Sequence, residues 1–132
     1  MTKIRHIAYR AADVEAMAQF FANGLGMTIA QRRTNGAIDL SDGTLNITVL
    51  PANGPGASGN IGIDHIGFTV EDEDSARQLI EAAGGRERNT VNLGTAHYEV
   101  KFEGPEGIVI DVGHWPGTAP ISEPGIAVSA AP

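Results

Sequence analysis

The chain contains two similar strand-like segments, and this internal repeat constrains its fold more than any other feature. The first is "IRHIAYR", which begins at Ile4, and the second is "IDHIGFTV", which begins at Ile63. A histidine holds the third place in each segment, so that His65 follows His6 by 59 positions. This offset predicts two copies of one folding module, with the two histidines at equivalent places.

Each strand-like segment is followed by the pattern of an amphipathic helix. Apolar residues recur at i, i+3, i+4 and i+7 in both copies: Val14, Met17, Ala18 and Phe21 in the first, and Ala76, Leu79, Ile80 and Ala83 in the second. This spacing places them on one face of a helix. Asp13 and Asp72 are predicted N-caps, and Gly24 and Gly84 are predicted stops.

Strand-like stretches follow each helix and complete the module. The first copy spans about residues 1–52 and the second about residues 61–115, and the Gly/Pro-rich "PANGPGASGN" at residues 51–60 links them. The two copies predict an α+β fold in which tandem βαβββ modules form one domain over residues 1–118. Residues 119–132 are rich in Pro, Gly, Ala and Ser, which predicts a flexible tail.

The composition argues against several classes of function. The chain has no cysteine, which rules out disulfides, thiolate metal sites and a cysteine nucleophile. Its formal net charge is −7 and its nine lysines and arginines are scattered, so a nucleic-acid partner is not expected. No apolar run approaches the roughly 20 residues that cross a bilayer, and the N-terminus lacks the apolar core of a signal peptide. We therefore expect a cytoplasmic protein with no membrane partner.

Strand alternation gathers the polar residues of both copies on one surface, because successive side chains point to opposite faces of a strand. The bulky residues of the two first strands face the helices, and the small residues Ala8 and Gly67 lie beside the histidines and leave room for a concavity. The concave surface is predicted to carry His6, Asn46, His65, Glu99 and Asp111, with His97 and Lys101 near its edges.

Two imidazoles and a carboxylate form a ligand set that suits Zn²⁺, Fe²⁺, Mn²⁺, Co²⁺ or Ni²⁺. Such a set leaves coordination positions open for a substrate or water, which catalysis requires. The alternative is that His6 and His65 are core residues bonded to backbone carbonyls and that Asp111 faces solvent on an edge strand. The repeat-equivalent places of the histidines favour the metal site.

The repeated module, the histidine in each first strand and the carboxylate in "GIVIDV" together resemble the vicinal oxygen chelate superfamily, also called the glyoxalase/bleomycin resistance/dioxygenase group. The resemblance covers about residues 3–115 and is most specific in "IDHIGFTV" and "EVKFEGPEGIVIDV". It implies an open, mixed β half-barrel cleft with the helices on its outer face. It also implies a divalent metal ion held by His6, Asn46, His65 and Asp111, with Thr48 as a competitor for the place of Asn46.

The resemblance further implies a metal-dependent lyase or isomerase whose small carbonyl or hydroxy-acid substrate chelates the ion. Asn46 stands where many isomerases and lyases of the group have a glutamate that can act as base, so Glu99 or His97 is the predicted catalytic base. Asp111 stands where the group commonly has glutamate, which is one methylene longer. Two alternatives stay open: a metal-free protein that sequesters a ligand, of the antibiotic-resistance type, and an Fe(II) extradiol-type dioxygenase. Two-module members usually pair, so a homodimer is expected.

Overall fold

The computed structural model describes residues 2–54, 57–92, 98–114, 121–122 and 126–127. Side-chain surroundings are described for residues 2–54, 57–88 and 100–114. The predicted domain limit at residue 118 and most of the predicted tail lie outside these ranges and stay predictions.

The helices and strands follow the predicted module twice. The first copy consists of β1 (Lys3–Ala11), α1 (Val14–Gln19), β2 (Thr28–Arg32), β3 (Ile38–Ser41) and β4 (Asn46–Pro51). The second consists of β5 (Gly62–Thr69), α2 (Glu73–Ala82), β6 (Arg86–Asn92), β7 (Tyr98–Glu103) and β8 (Val109–Gly113). A π-helical turn, Phe20–Gly24, extends α1, and a 3-10 turn, Pro105–Gly107, joins β7 to β8. Two short strands, β9 (Ile121–Ser122) and β10 (Ile126–Ala127), pair with each other.

The eight strands of the two modules form one open mixed sheet in the order β2-β3-β4-β1-β5-β8-β7-β6. Strand β1 lies parallel to β4 and β5 lies parallel to β8, whereas β1 and β5 are antiparallel to each other. The first strand of each module therefore lies at the centre of the sheet, beside the first strand of the other. The predicted α+β fold of tandem βαβββ modules is confirmed.

The N-cap residues of both helices are those that the sequence predicts. The carboxylate of Asp13 accepts a hydrogen bond from the backbone N–H of Ala16 at 2.9 Å. The carboxylate of Asp72 accepts from the backbone N–H groups of Asp74 and Ser75 at 3.0 and 3.3 Å. These bonds satisfy amides that the first helical turn cannot pair internally.

Each helix packs on the same face of the sheet as its module's apolar core. The buried residues of the first core are Ala11, Ala18, Ile38, Leu40 and Val49, and those of the second are Val70, Val100, Phe102 and Val112. Helix α2 contributes Ala76 and Ile80 to the second core. Leu79, which the helical spacing also predicts to be buried, is 72% exposed. Ala76 and Ile80 lie four residues apart and cover the sheet, so Leu79 is left at the flank of α2.

A β-bulge breaks the strict alternation of β5 just before His65. Ala8 of β1 pairs with His65, but the next residue, Tyr9, pairs with Ile63, so Asp64 has no opposite residue on β1. Alternation predicts Asp64 on the helix side of the sheet. The bulge instead re-aims its side chain toward that of His65, because an extra residue in one strand locally shifts the facing of its neighbours.

Within the part of the chain that the structure describes, neither helix has the length and apolar character required to cross a membrane. The cytoplasmic location stays a prediction.

We expect a large difference between two leucine truncations that remove the same atoms. Leu40 is fully buried in the first core, whereas Leu79 is mostly exposed. Leu40→Ala should lower the free energy of unfolding by about 2–5 kcal/mol, because it leaves a cavity. Leu79→Ala should change it by less than about 0.5 kcal/mol. Urea denaturation followed by circular dichroism would measure both, and equal effects would contradict the described packing of α2.

Candidate metal centre

One row of paired residues crosses the centre of the sheet and carries most of the predicted site. His6 lies opposite Asn46 of β4 on one side and opposite Gly67 of β5 on the other. Gly67 in turn lies opposite Asp111 of β8. His65 lies two residues before Gly67 on the same face of β5. The antiparallel pairing of β1 with β5 thus places the two histidines side by side at the seam between the modules.

His6, His65 and Asp111 form a compact cluster. Each offers one ligand atom, and these three atoms lie within 4.8 Å of one another. Oδ2 of Asp111 lies 3.0 Å from Nε2 of His65 and 3.7 Å from Nε2 of His6. The imidazole rings are nearly perpendicular, at 88°, with their centroids 5.3 Å apart. Two atoms that each bind one ion at about 2.1 Å lie roughly 3 Å apart, so the cluster has the dimensions of a metal site.

The cluster exists because residue 67 has no side chain. A Cβ added at Gly67 would lie 2.0 Å from Cε1 and 2.2 Å from Nδ1 of His6. The imidazole of His6 therefore occupies the volume that any other residue at position 67 would fill. His6 is only 6% exposed and Asp111 only 1%, which closes the floor of the site.

The buried side chain of Asn46 is a candidate for a further metal ligand. It is 1% exposed, and neither its amide oxygen nor its amide nitrogen has a hydrogen-bond partner among the residues that the structure describes. An unsatisfied buried polar group costs about 1–3 kcal/mol, so such a group is uncommon without a function. Its place opposite His6 puts it on the face that carries the cluster.

By strand register, Thr48 in the first module is the equivalent of Asp111 in the second. Thr48 lies opposite Ala8. Asp111 lies opposite Gly67, which is the residue equivalent to Ala8 in the repeat. The Thr48 hydroxyl, however, donates to the buried carboxylate of Asp39 at 2.6 Å. Both Asn46 and Thr48 therefore remain candidates for a further ligand, the first by its unmet hydrogen-bonding capacity and the second by register.

Charged side chains surround the cluster on the side of the second module. Nζ of Lys101 lies 2.6 Å from Oδ1 of Asp111, so the carboxylate presents its other oxygen to the histidines. The pKa of His6 lies below its ordinary value of 6.5, chiefly because burial disfavours the charged ring and despite the nearby carboxylate of Asp111, which raises it. His6 is therefore neutral near pH 7, which is the state that binds metals.

The structure does not describe the side chain of either predicted base. His97 lies outside the described residues. Glu99 belongs to β7, where its backbone pairs with Val91, and its side chain is likewise outside what is described. His114 lies apart from the cluster: its Nδ1 is 3.1 Å from the carbonyl oxygen of Val70.

The sequence did not predict two features of the site. Asp64 lies 2.7 Å from Nδ1 of His65, a contact that requires the bulge. Asp39, in "AIDLS", is a buried carboxylate that accepts hydrogen bonds from Gln31 at 2.7 Å and from Arg33 at 2.7 and 3.1 Å. A charged residue inside an apolar strand was the available signal for Asp39. These bonds stabilise the wall of the cleft beside Thr48.

Comparisons with known proteins agree with this geometry. The sequence matches the family model described as Glyoxalase/Bleomycin resistance protein/Dioxygenase superfamily over residues 3–112. A search of curated proteins found no match.

Several solved structures have the same fold. Streptomyces coelicolor methylmalonyl-CoA epimerase in complex with 2-nitronate-propionyl-CoA superposes with a TM-score of 0.68 at 18% identity, over 91% of this chain and 99% of the epimerase chain. A hypothetical protein from Bacillus halodurans C-125 gives 0.70 at 17% identity, over 90% and 98% of the two chains. The 2,3-dioxygenase LapB from Pseudomonas sp. KL28 gives 0.68 at 22%, over 85% of this chain and 40% of the dioxygenase. At these identities the likeness shows a shared fold.

Gly67→Ala should disrupt the site, because the new Cβ would overlap the His6 ring. We expect a loss of about 1–3 kcal/mol in the free energy of unfolding, as for other overpacked positions, together with a large shift of the His6 ring resonances in NMR spectra. Gly24→Ala is the control, since its Cβ would meet nothing closer than 4.0 Å. Unchanged His6 resonances in Gly67→Ala would contradict the described contact.

The lowered pKa of His6 predicts a pH dependence of stability in the metal-free protein. The unfolded chain binds a proton on this residue at a higher pH than the folded chain does. The contribution of neutral His6 to the free energy of unfolding is therefore present above the ordinary pKa of about 6.5. It is lost as the pH falls toward the pKa of His6 in the folded chain, which is lower. Urea denaturation between about pH 7.5 and about pH 5.5 should show this decline, and His6→Gln should reduce it. His114→Gln is the control. If stability declines as much in His6→Gln as in His114→Gln, the decline is not due to His6.

Proposed function

Because the chain belongs to the Glyoxalase/Bleomycin resistance protein/Dioxygenase superfamily, we propose that it is a divalent-metal-dependent lyase or isomerase acting on a small, oxygen-rich substrate. The observation that carries the proposal is the cluster of His6, His65 and Asp111 at the seam of the two modules, with ligand atoms within 4.8 Å of one another. Two imidazole nitrogens and one carboxylate oxygen suit zinc, nickel, cobalt, manganese and iron, so the identity of the metal stays open.

The donor atoms present fit a metal ion. His6, His65 and Asp111 would hold it, and Asn46, whose buried amide lacks a hydrogen-bond partner within the described ranges, is the proposed fourth ligand. When bound, a divalent ion supplies a Lewis acid that polarises the oxygens of a chelating substrate. With three protein ligands a coordination position stays open for those oxygens, and with four it stays open only at an ion that takes more than four ligands.

The charges around the cluster favour an anionic substrate. Lys101 and Asp111 cancel formally as an ion pair, and the two histidines are neutral ligands, so these four residues leave the two positive charges of a bound ion unbalanced. A carbonyl compound or hydroxy acid that carries a carboxylate would complement this charge. Lys101, with its side chain 21% exposed, would contact such a carboxylate from the cleft.

Proton transfer needs a base, and Glu99 is the proposed one. It lies two residues before Lys101 on β7, and strand alternation predicts that the two side chains share a face. His97 is the second candidate. Neither Asn46 nor Thr48 can take up a proton at neutral pH, so the first module supplies no carboxylate base at these places.

A second candidate function is an Fe²⁺ extradiol-type dioxygenase. Two histidines and one carboxylate are the donor set of non-haem Fe(II) oxygenases, and this donor set is the observation that favours the candidate. The chain covers only 40% of the dioxygenase LapB, which weighs against it.

We further propose that the protein acts as a cytoplasmic homodimer, as two-module members of the group usually pair.

Loss of any one of the three clustered ligands should abolish tight metal binding. We expect His6→Ala, His65→Ala and Asp111→Ala each to weaken Co²⁺ or Zn²⁺ binding by more than about 100-fold, because even an outer-shell partner is worth about 10–100-fold. Isothermal titration calorimetry with apo-protein would measure this. His114→Ala is the matched control. If the His6 and His65 variants bind the ions as tightly as wild type, the metal site is wrong and a metal-free binding protein becomes the better reading.

The reaction class can be tested without knowing the substrate. Metal-loaded protein in D₂O would be incubated with small hydroxy acids, oxo acids and methylmalonyl-CoA, the ligand of one structural neighbour. A lyase or isomerase that moves protons should incorporate deuterium, and Glu99→Gln should reduce incorporation much more than it reduces metal affinity. Oxygen consumption with catechols after Fe²⁺ loading, and no deuterium uptake, would favour the dioxygenase instead.

A further inference from the structure

Each ring nitrogen of His65 faces a carboxylate, and only one of the two carboxylates belongs to the ligand cluster. Nε2 faces Oδ2 of Asp111 at 3.0 Å, inside the cluster. Nδ1 faces Oδ2 of Asp64 at 2.7 Å, outside it. An ionised carboxylate only accepts hydrogen bonds, so the short contact requires a proton on Nδ1 of His65.

The second oxygen of Asp64 is held by the first module. Nε of Arg10, on β1, donates to Oδ1 of Asp64 at 3.1 Å. The same guanidinium donates through Nη1 to the backbone carbonyl of Pro51, at the end of β4, at 2.9 Å. Arg10 is thus fixed to the strand that carries Asn46, and it directs Asp64 toward His65.

We propose that Asp64 is a positioning residue that fixes the proton on Nδ1 of His65, so that Nε2 is left to bind the metal, and that Arg10 holds Asp64 in place. The inference rests on the proposed metal site for its function. It does not rest on that site for the placement of the proton, which the contact between Asp64 and Nδ1 favours in the metal-free protein as well.

The position of Asp64 in the bulge makes this arrangement specific. Adjacent residues of a regular strand point to opposite faces and cannot share a hydrogen bond of this kind. The bulge between the pairs Ala8–His65 and Tyr9–Ile63 brings Asp64 onto the side of its own neighbour. Hydrogen bonds from His65 and Arg10 reach its two oxygens, and both favour the ionised form of the carboxylate.

A histidine side chain in water prefers the proton on Nε2, which would block the metal-binding atom of His65. A carboxylate on Nδ1 removes this competing tautomer and fixes the rotation of the ring. Outer partners of this kind typically contribute about 10–100-fold in metal affinity.

The test compares wild type, Asp64→Asn, Asp64→Ala and Arg10→Ala, with Asp74→Asn, an exposed carboxylate on α2, as control. In metal-free protein at about pH 8, the ¹⁵N shift of His65 Nδ1 should be that of a protonated nitrogen in wild type and in Asp74→Asn. In Asp64→Ala it should move toward that of an unprotonated nitrogen. Asp64→Asn, which keeps an acceptor oxygen, should show an intermediate shift, and Arg10→Ala a smaller change than Asp64→Ala.

Calorimetric titration with Zn²⁺ supplies the second readout. Asp64→Ala should weaken binding by about 10–100-fold and Arg10→Ala by less. A double variant that is no weaker than Asp64→Ala would show that Arg10 acts through Asp64. The amide spectrum of each variant confirms that it is folded.

The outcomes separate the two proposals. An unprotonated Nδ1 in wild type, or Zn²⁺ affinity in Asp64→Ala equal to that of wild type, overturns the role of Asp64 and leaves the metal site standing. Failure of wild type itself to bind Zn²⁺, Co²⁺, Ni²⁺, Mn²⁺ or Fe²⁺ overturns the proposed function, whatever the tautomer of His65.

Discussion

The antiparallel pairing of β1 with β5 is the constraint on which the rest of the molecule depends. It is the contact that joins the two modules into one sheet, and it places His6 beside Gly67 and His65 beside Ala8. At Gly67 the absence of a side chain is required, because the imidazole of His6 occupies the space that a Cβ would fill. The backbone hydrogen bonds of one strand pair therefore set both the shape of the sheet and the distance between the two rings.

The polar groups at this seam are expensive to bury, which limits what the site can be. Asp111 is nearly inaccessible, and Lys101 compensates its charge directly. Asn46, equally inaccessible, has no such compensation among the residues that the structure describes. A plain structural core would gain stability from apolar residues at these places, since burying unpaired polar groups is unfavourable. The cost is understandable if the groups serve a bound ligand.

Periodicity was sufficient to predict the modules, the caps Asp13 and Asp72, and the shared face of His6, His65 and Asp111, because alternation and helical spacing are local properties of the chain. It failed where the geometry depends on a partner strand. The bulge at Asp64 arises from the pairing of β5 with β1, and the exposure of Leu79 from how much of the sheet α2 covers. The choice between Asn46 and Thr48 depends on the register of β4 against β1, which sequence spacing leaves open by a residue or two.

The repeat brings two similar halves to the cleft, but the chemistry of the halves is unequal. The first module contributes neutral groups beside its histidine, Asn46 and Thr48, whereas the second contributes the ion pair of Asp111 and Lys101. A cleft with true two-fold symmetry would accept a small molecule equally well in two opposite orientations. The two walls of this cleft carry different groups, so the two orientations of an asymmetric ligand would not be equivalent. The duplicated scaffold is thereby asymmetric at the place where its two copies meet.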